Sequence, residues 1–163
     1  MKTKALILFL VLALAAGGCS AAWGYSFLPN EGTITGYRAP GLKRSITIPE
    51  TIGNIEVVRI GEASFANNEL LSITIPGGVA SIGDWAFHNN DLAEVIIPSG
   101  VTSIGAYAFS GNPLKSITML GDDTEIGEGM VGGLGFRDAY LEGGAGTYVR
   151  SRDGHWKRDA AGP

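Results

Sequence analysis

Few residues in this chain could do chemistry. His88 and His155 are its two histidines, and an imidazole becomes a metal ligand or a general base only beside further ligands or a nucleophile. They lie 67 positions apart in unlike surroundings, so neither a metal cluster nor a nucleophile with its base is visible, and both read as solvated polar residues. Gly127-Glu128-Gly129-Met130-Val131-Gly132 spells the glycine pattern that cradles a dinucleotide pyrophosphate, but that chemistry needs a long helix next, and none follows. Asp122, Asp123, Glu125 and Glu128 could surround a calcium ion. Their spacing matches no loop of regular ligand positions, and they read as a charged turn. Cys19 is the only cysteine, which excludes an intramolecular disulfide and leaves a lone thiol. No catalytic residue, metal or cofactor is expected.

The elements that would position any of these come from a repeat. Leu71 to Leu92 and Ala93 to Leu114 share eleven of twenty-two positions without a gap, among them Ile75/Ile97, Pro76/Pro98, Ile82/Ile104, Gly83/Gly105, Phe87/Phe109, Asn90/Asn112 and Leu92/Leu114. The period continues upstream through Ile60, Gly61, Phe65, Asn68 and Leu70, where five extra residues, roughly Ile52 to Glu56, separate the strand at Ser45 to Ile48 from its Ile-Gly step. Downstream it keeps Ile117, Ile126 and Gly127 while Met119 and Val131 replace Ile and Phe. The copies are therefore 45–70, 71–92, 93–114 and 115–136, with irregular units at the ends, where one face lacks a neighbour.

Within a copy, Ser72-Ile73-Thr74-Ile75 alternates with period two, a short strand pointing its Ile side chains inward. Pro76 and Gly78 end it and turn the chain. Val79 and Ile82 begin a second inward run, and Ala86-Phe87 is expected on a single helical turn. One such coil cannot bury its own layer, so the coils must stack. Asn68, Asn90 and Asn112, one period apart, are expected to form a ladder whose amides satisfy backbone groups at the tight turns. Two surfaces remain for binding. One is the outward strand row that includes Ser72, Thr74, Glu94 and Ile96; the other is Trp85 with Tyr107, beside His88. Rows of Ser and Thr are also what any solvated strand tolerates, and the aromatic pair also reads as stacking between coils.

Residues 1–18 have the charged start, apolar core and small-residue end of an export signal, too short for a comfortable membrane span. Their removal leaves 10 basic and 16 acidic side chains, a net charge near −6, which disfavours nucleic acid. Residues 19–44 hold a hairpin with its turn at Pro29 to Gly32, expected to cover the first layer, and a linker. Residues 137–163 close the other end and finish in a tail expected to be disordered from Asp159 onward.

Two resemblances follow from these residues. Ala16-Gly17-Gly18-Cys19 resembles the lipobox of bacterial lipoproteins, with Ala16 where Leu is usual, and implies a membrane anchor through acyl chains on Cys19. The pattern Ile-x-Ile-Pro-x-x-Val-x-x-Ile-Gly-x-x-Ala-Phe-x-x-Asn-x-Leu resembles the BspA-type leucine-rich repeats of bacterial surface proteins, in the 22-residue Asn form seen in spirochaetes. It implies a leucine-rich repeat solenoid: short stacked β-strands with single helical turns, about four coils, a β-hairpin N-terminal cap and an irregular C-terminal cap. Members of that group sit mostly on the cell surface or outer membrane, and those with an assigned role bind host matrix proteins, host cells or other bacteria. The expectation is a non-enzymatic exported lipoprotein, at the outer membrane or cell surface or facing the periplasm, that binds a protein ligand and serves as an adhesin. The alternative is a structural or antigenic envelope protein assembling with other envelope components. Metabolic labelling with palmitate should tag the wild type and spare a Cys19→Ser variant; an unlabelled wild type would sink the anchor.

Overall fold

The structure is a computed structural model that describes residues 24–38 and 44–160; the expected export signal and Cys19 lie outside them. The alternation of apolar and hydroxyl residues gives each turn of chain two short strands, which stack into separate ladders. β1 (Gly24–Leu28) and β2 (Thr33–Arg38) form the antiparallel hairpin expected around Pro29. β3 (Ser45–Thr47) opens the first coil, and the five extra residues become a small hairpin of β4 (Thr51–Ile52) and β5 (Ile55–Glu56). It turns through Gly53 at φ 66°, so the insertion loops outward and β6 (Arg59–Ile60) keeps its place.

The repeats then supply β7 (Ser72–Thr74), β8 (Ser81–Ile82), β9 (Glu94–Ile97), β10 (Ser103–Ile104), β11 (Ser116–Met119) and β12 (Glu125–Ile126). One ladder runs β2-β6-β8-β10-β12, all parallel, with β1 outside β2. Its register sets Ile34, Ile60, Ile82, Ile104 and Ile126 side by side, and all five are buried. The strands that open each copy pair likewise, β3 with β7 and β9 with β11, each in parallel. The molecule is thus a solenoid of four coils around one dry axis.

The coil middle differs from the helical turn expected at Ala86-Phe87. It is a pair of overlapping tight turns, closed by the Ala86 amide on Gly83 O at 3.3 Å and the His88 amide on Trp85 O at 2.9 Å. A helical turn would direct its amides along its own axis. Here the amides of Trp85, Phe87 and Asn89 donate instead to the carbonyls of Ala106, Ala108 and Ser110 in the next coil, at 2.8–3.0 Å. Ala63, Phe65 and Asn67 do the same to Asp84, Ala86 and His88. This third ladder holds the phenylalanines in a column: Phe65 to Phe87 is 5.1 Å between ring centroids and Phe87 to Phe109 is 5.0 Å, close to the roughly 4.8 Å between paired strands. Glycine at the Ile-Gly step permits that approach. A Cβ on Gly83 would come 2.7 Å from the Glu62 nitrogen, and one on Gly105 2.5 Å from the Asp84 nitrogen.

Both ends of the column are covered. At the N-terminal end Tyr37 stacks on Phe65 at 5.2 Å and Tyr25 meets it edge-on at 6.3 Å; burial, with Tyr37 beside it, pushes the Tyr25 phenol well above its ordinary range. At the C-terminal end the cap is more regular than the sequence suggested. It contains α1 (Phe136–Gly143), then β13 (Gly146–Arg150) antiparallel to β11 and β14 (Trp156–Arg158) antiparallel to β13. Phe136, Tyr140, Tyr148 and Trp156 are all buried there. The Tyr140 hydroxyl accepts from the Thr124 amide and donates to Gly121 O, both at 2.9 Å, pinning helix to coil. Order extends into the expected tail, since the Asp159 amide donates to Thr147 O at 2.7 Å. Removing a central ring should show how much the column carries: Phe87→Ala is expected to destabilise by about 3–5 kcal/mol in urea titration, and a loss below about 1 kcal/mol would mean the stability resides elsewhere.

Candidate functional site

Both histidines are engaged by neighbouring polar side chains. His88 Nδ1 lies 2.7 Å from Ser110 Oγ. The Ser110 hydroxyl also lies 3.0 Å from Tyr107 O, a backbone acceptor within its own turn. A second grouping escaped the sequence reading. Ser151 bonds the Asp153 carboxylate and Asp153 Oδ2 lies 3.4 Å from His155 Nδ1. The Ser151 hydroxyl also sits 2.7 Å from the carbonyl oxygen of His155. This closes the turn between β13 and β14. The Ser151 hydrogen bond first, and the His155 amide second, hold the Asp153 carboxyl below its usual range. Among the described residues no three His, Cys, Asp or Glu side chains gather as a metal site. Gly129 lies against the Tyr107 ring, which a Cβ there would meet at 2.5 Å.

Asn90 and Asn112 lie buried between coils. Asn90 Oδ1 accepts from the amides of Asn68 and Leu70, each at 3.0 Å, while its Nδ2 donates to Phe65 O and Phe87 O at 2.9 and 3.0 Å. Asn112 bridges Leu92, Phe87 and Phe109 in the same way. Asn68, half-buried, donates within its own coil to Ala66 O at 2.9 Å. The geometry is that of structural connectors facing away from solvent.

The remaining sequence-derived positions fall on two separate faces. Ser72, Thr74, Glu94 and Ile96 point outward from β7 and β9, and Ile96 is 58% exposed. The C-terminal hairpin extends this face, with Thr118 Oγ1 3.0 Å from Thr147 Oγ1. Trp85 and Tyr107 instead occupy the corner after β8 and β10. Their rings are nearly parallel, 7° apart with centroids at 6.0 Å, and they are 40% and 38% exposed. His88 is in the same turn as Trp85. Alongside β6, β8, β10 and β12 runs a groove of about 530 Å³ bordered by Arg59, Ser81, Asp84, Ser103 and Glu125. Its signal in the sequence was the residue preceding each repeated Ile.

The backbone under the aromatic pair is unusual. Trp85 has φ 51° and Tyr107 φ 56°, and the equivalent residues one coil away on either side, Ala63 and Gly129, have φ 48° and 56°. Bulky side chains rarely adopt this left-handed conformation, which costs about 1–2 kcal/mol outside glycine. The corner therefore requires the conformation of every coil and the aromatic ring of none.

Stacked short strands, a single-file phenylalanine column and buried asparagine connectors define the class, a leucine-rich repeat solenoid. The family described as BspA type leucine rich repeat region matches residues 42–139 in six copies, and the chain belongs to that family. A crystal structure of a leucine rich cell surface protein from Faecalibacterium prausnitzii A2-165 is similar to it at 17% identity and a TM-score of 0.33, over 88% of this chain and 60% of that one. The chain thus spans less than two thirds of that protein. No curated protein matches.

Trp85→Gly should relieve about 1–2 kcal/mol of backbone strain while losing about 0.5–1.5 kcal/mol of ring stacking. Thermal melting followed by circular dichroism is expected to stay within about 1 kcal/mol of wild type, whereas a loss above about 3 kcal/mol would make the rings part of the scaffold.

Proposed function

We propose that this chain is a non-enzymatic binding module of the cell surface, exported and held to the membrane by acyl chains on Cys19. Its solenoid binds a protein partner from host matrix, host cells or another bacterial surface, and it acts as an adhesin. One observation carries the reading: two large aromatic rings are kept in the open at corners where the backbone favours glycine. Strain that the fold does not need points to a use outside the fold, and exposed Trp and Tyr are the side chains most often found at the centre of binding energy. Membership of the BspA-type family supports the assignment to a surface repeat protein. The row of Ser72, Thr74, Glu94 and Ile96 offers a second, flatter contact area on a neighbouring face.

The alternative, a structural or antigenic envelope component, draws on β14, which ends its sheet with no further strand among the described residues. An open strand edge can pair with another chain. Pull-down with fibronectin, fibrinogen and host cells, set against pull-down with the organism's own envelope, separates the two. Replacing Trp85 and Tyr107 together with Ser is expected to weaken capture of the partner about tenfold or more with the melting curve little changed. Undiminished capture would exclude this corner as the contact.

A further inference from the structure

We propose that the Trp85–Tyr107 corner recognises carbohydrate, with the apolar face of an uncharged pyranose ring lying flat on the Trp85 indole. This rests on the reading above that the pair touches the partner, and it names the chemistry of what is touched. The two rings form a parallel, stepped platform, 7° apart at 6.0 Å. The platform is open at one end. Tyr107 is followed in its column by Gly129, which its own ring covers, whereas Trp85 is preceded by Ala63, exposed and carrying only a methyl group. A flat, electron-rich ring face attracts groups with positive partial charge, and the axial C–H groups on one side of a pyranose are such groups. Most small-ligand sites combine aromatic surface with a few placed polar groups.

The polar neighbours decide against an anionic ligand. Following the ring positions in the same turns are the His88–Ser110 pair and then Asn67 and Asn89, joined by Asn89 Nδ2 donating to Asn67 Oδ1 at 2.7 Å and both exposed. That bond uses one donor and one acceptor, leaving the Asn67 amide nitrogen and the Asn89 carbonyl oxygen for hydroxyl groups of a ligand. Immediately before the ring positions in the chain comes the row Glu62, Asp84, Ala106 and Glu128. It repels uronic acids and sulfated sugars.

The test uses the full mature protein and a panel of mannan, galactan, β-glucan and chitin oligomers, with heparin and oligoarginine as charged controls, read by calorimetry and tryptophan fluorescence. At least one neutral oligosaccharide should bind saturably, and its affinity should change less than about twofold between low and molar salt, where exposed charge pairs are screened. Trp85→Ser should weaken that binding about tenfold or more with unchanged melting, and Trp85→Phe should restore part of it. The assignment is overturned if no neutral oligosaccharide binds, if heparin or oligoarginine alone binds, or if Trp85→Ser binds sugar as well as wild type. Loss of host-protein capture in Trp85→Ser without sugar binding would overturn only the carbohydrate chemistry and leave the corner as a protein contact. Full retention of host-protein capture in Trp85→Ser would remove the corner itself.

Discussion

Backbone hydrogen bonds from each coil to the next set the dimensions of everything else in this molecule. They run along three sides of the solenoid: through the two-residue strands β6, β8, β10 and β12, through the opening strands in the pairs β3–β7 and β9–β11, and through the corners at Trp85, Phe87 and Asn89. Strand pairing allows one spacing. A 22-residue circuit that must close at that spacing leaves room at its centre for one aromatic ring per coil lying nearly flat, and the phenylalanines take it with interplanar angles of 25° and 18°.

The same constraint explains where polar groups are buried. A turn tight enough to close the circuit points amides and carbonyls inward, where unpaired they would each cost roughly 1–3 kcal/mol. Asn90 and Asn112 carry both a donor and an acceptor on a short side chain, so one residue satisfies two coils at once. The ladder must also stop. At one end two tyrosines lie across the last phenylalanine. At the other, an eight-residue helix and an antiparallel hairpin replace the next coil, reversing the strand direction so that the parallel stacking ends.

Stacking in register also turns every surface position into a column. A residue that is outward in one coil stands beside its counterpart in the next, about one strand spacing away, so a surface feature needs only two successive copies to become a site. Trp85 and Tyr107 are such a pair, and Asn67 and Asn89 are another. The coil supplies the alignment, because its backbone ladder already holds successive corners in register. The chemistry of this family member is therefore written in the outward residues, while the inward ones serve the fold.

Those inward residues were legible in the sequence because a gapless period of identical types fixes which side chains must coincide in space. Ile, Phe and Leu at fixed offsets determined the solenoid, its four coils and the need for lids, and the turn residues Pro29 to Gly32 marked the hairpin cap. The corner conformation was not legible. Trp85 and Tyr107 looked like any aromatic pair one period apart, and Ala86-Phe87 looked like a helical turn, because local sequence cannot report that the amides of that segment are claimed by the coil above. The separation of Ser72, Thr74, Glu94 and Ile96 from Trp85, His88 and Tyr107 onto different faces, and the outward hairpin made by Thr51 to Glu56, likewise depend on how the chain bends between strands. Periodicity determined which residues meet; only the three-dimensional closure of the hydrogen-bond ladders decided the left-handed corners that push two aromatic rings into solvent.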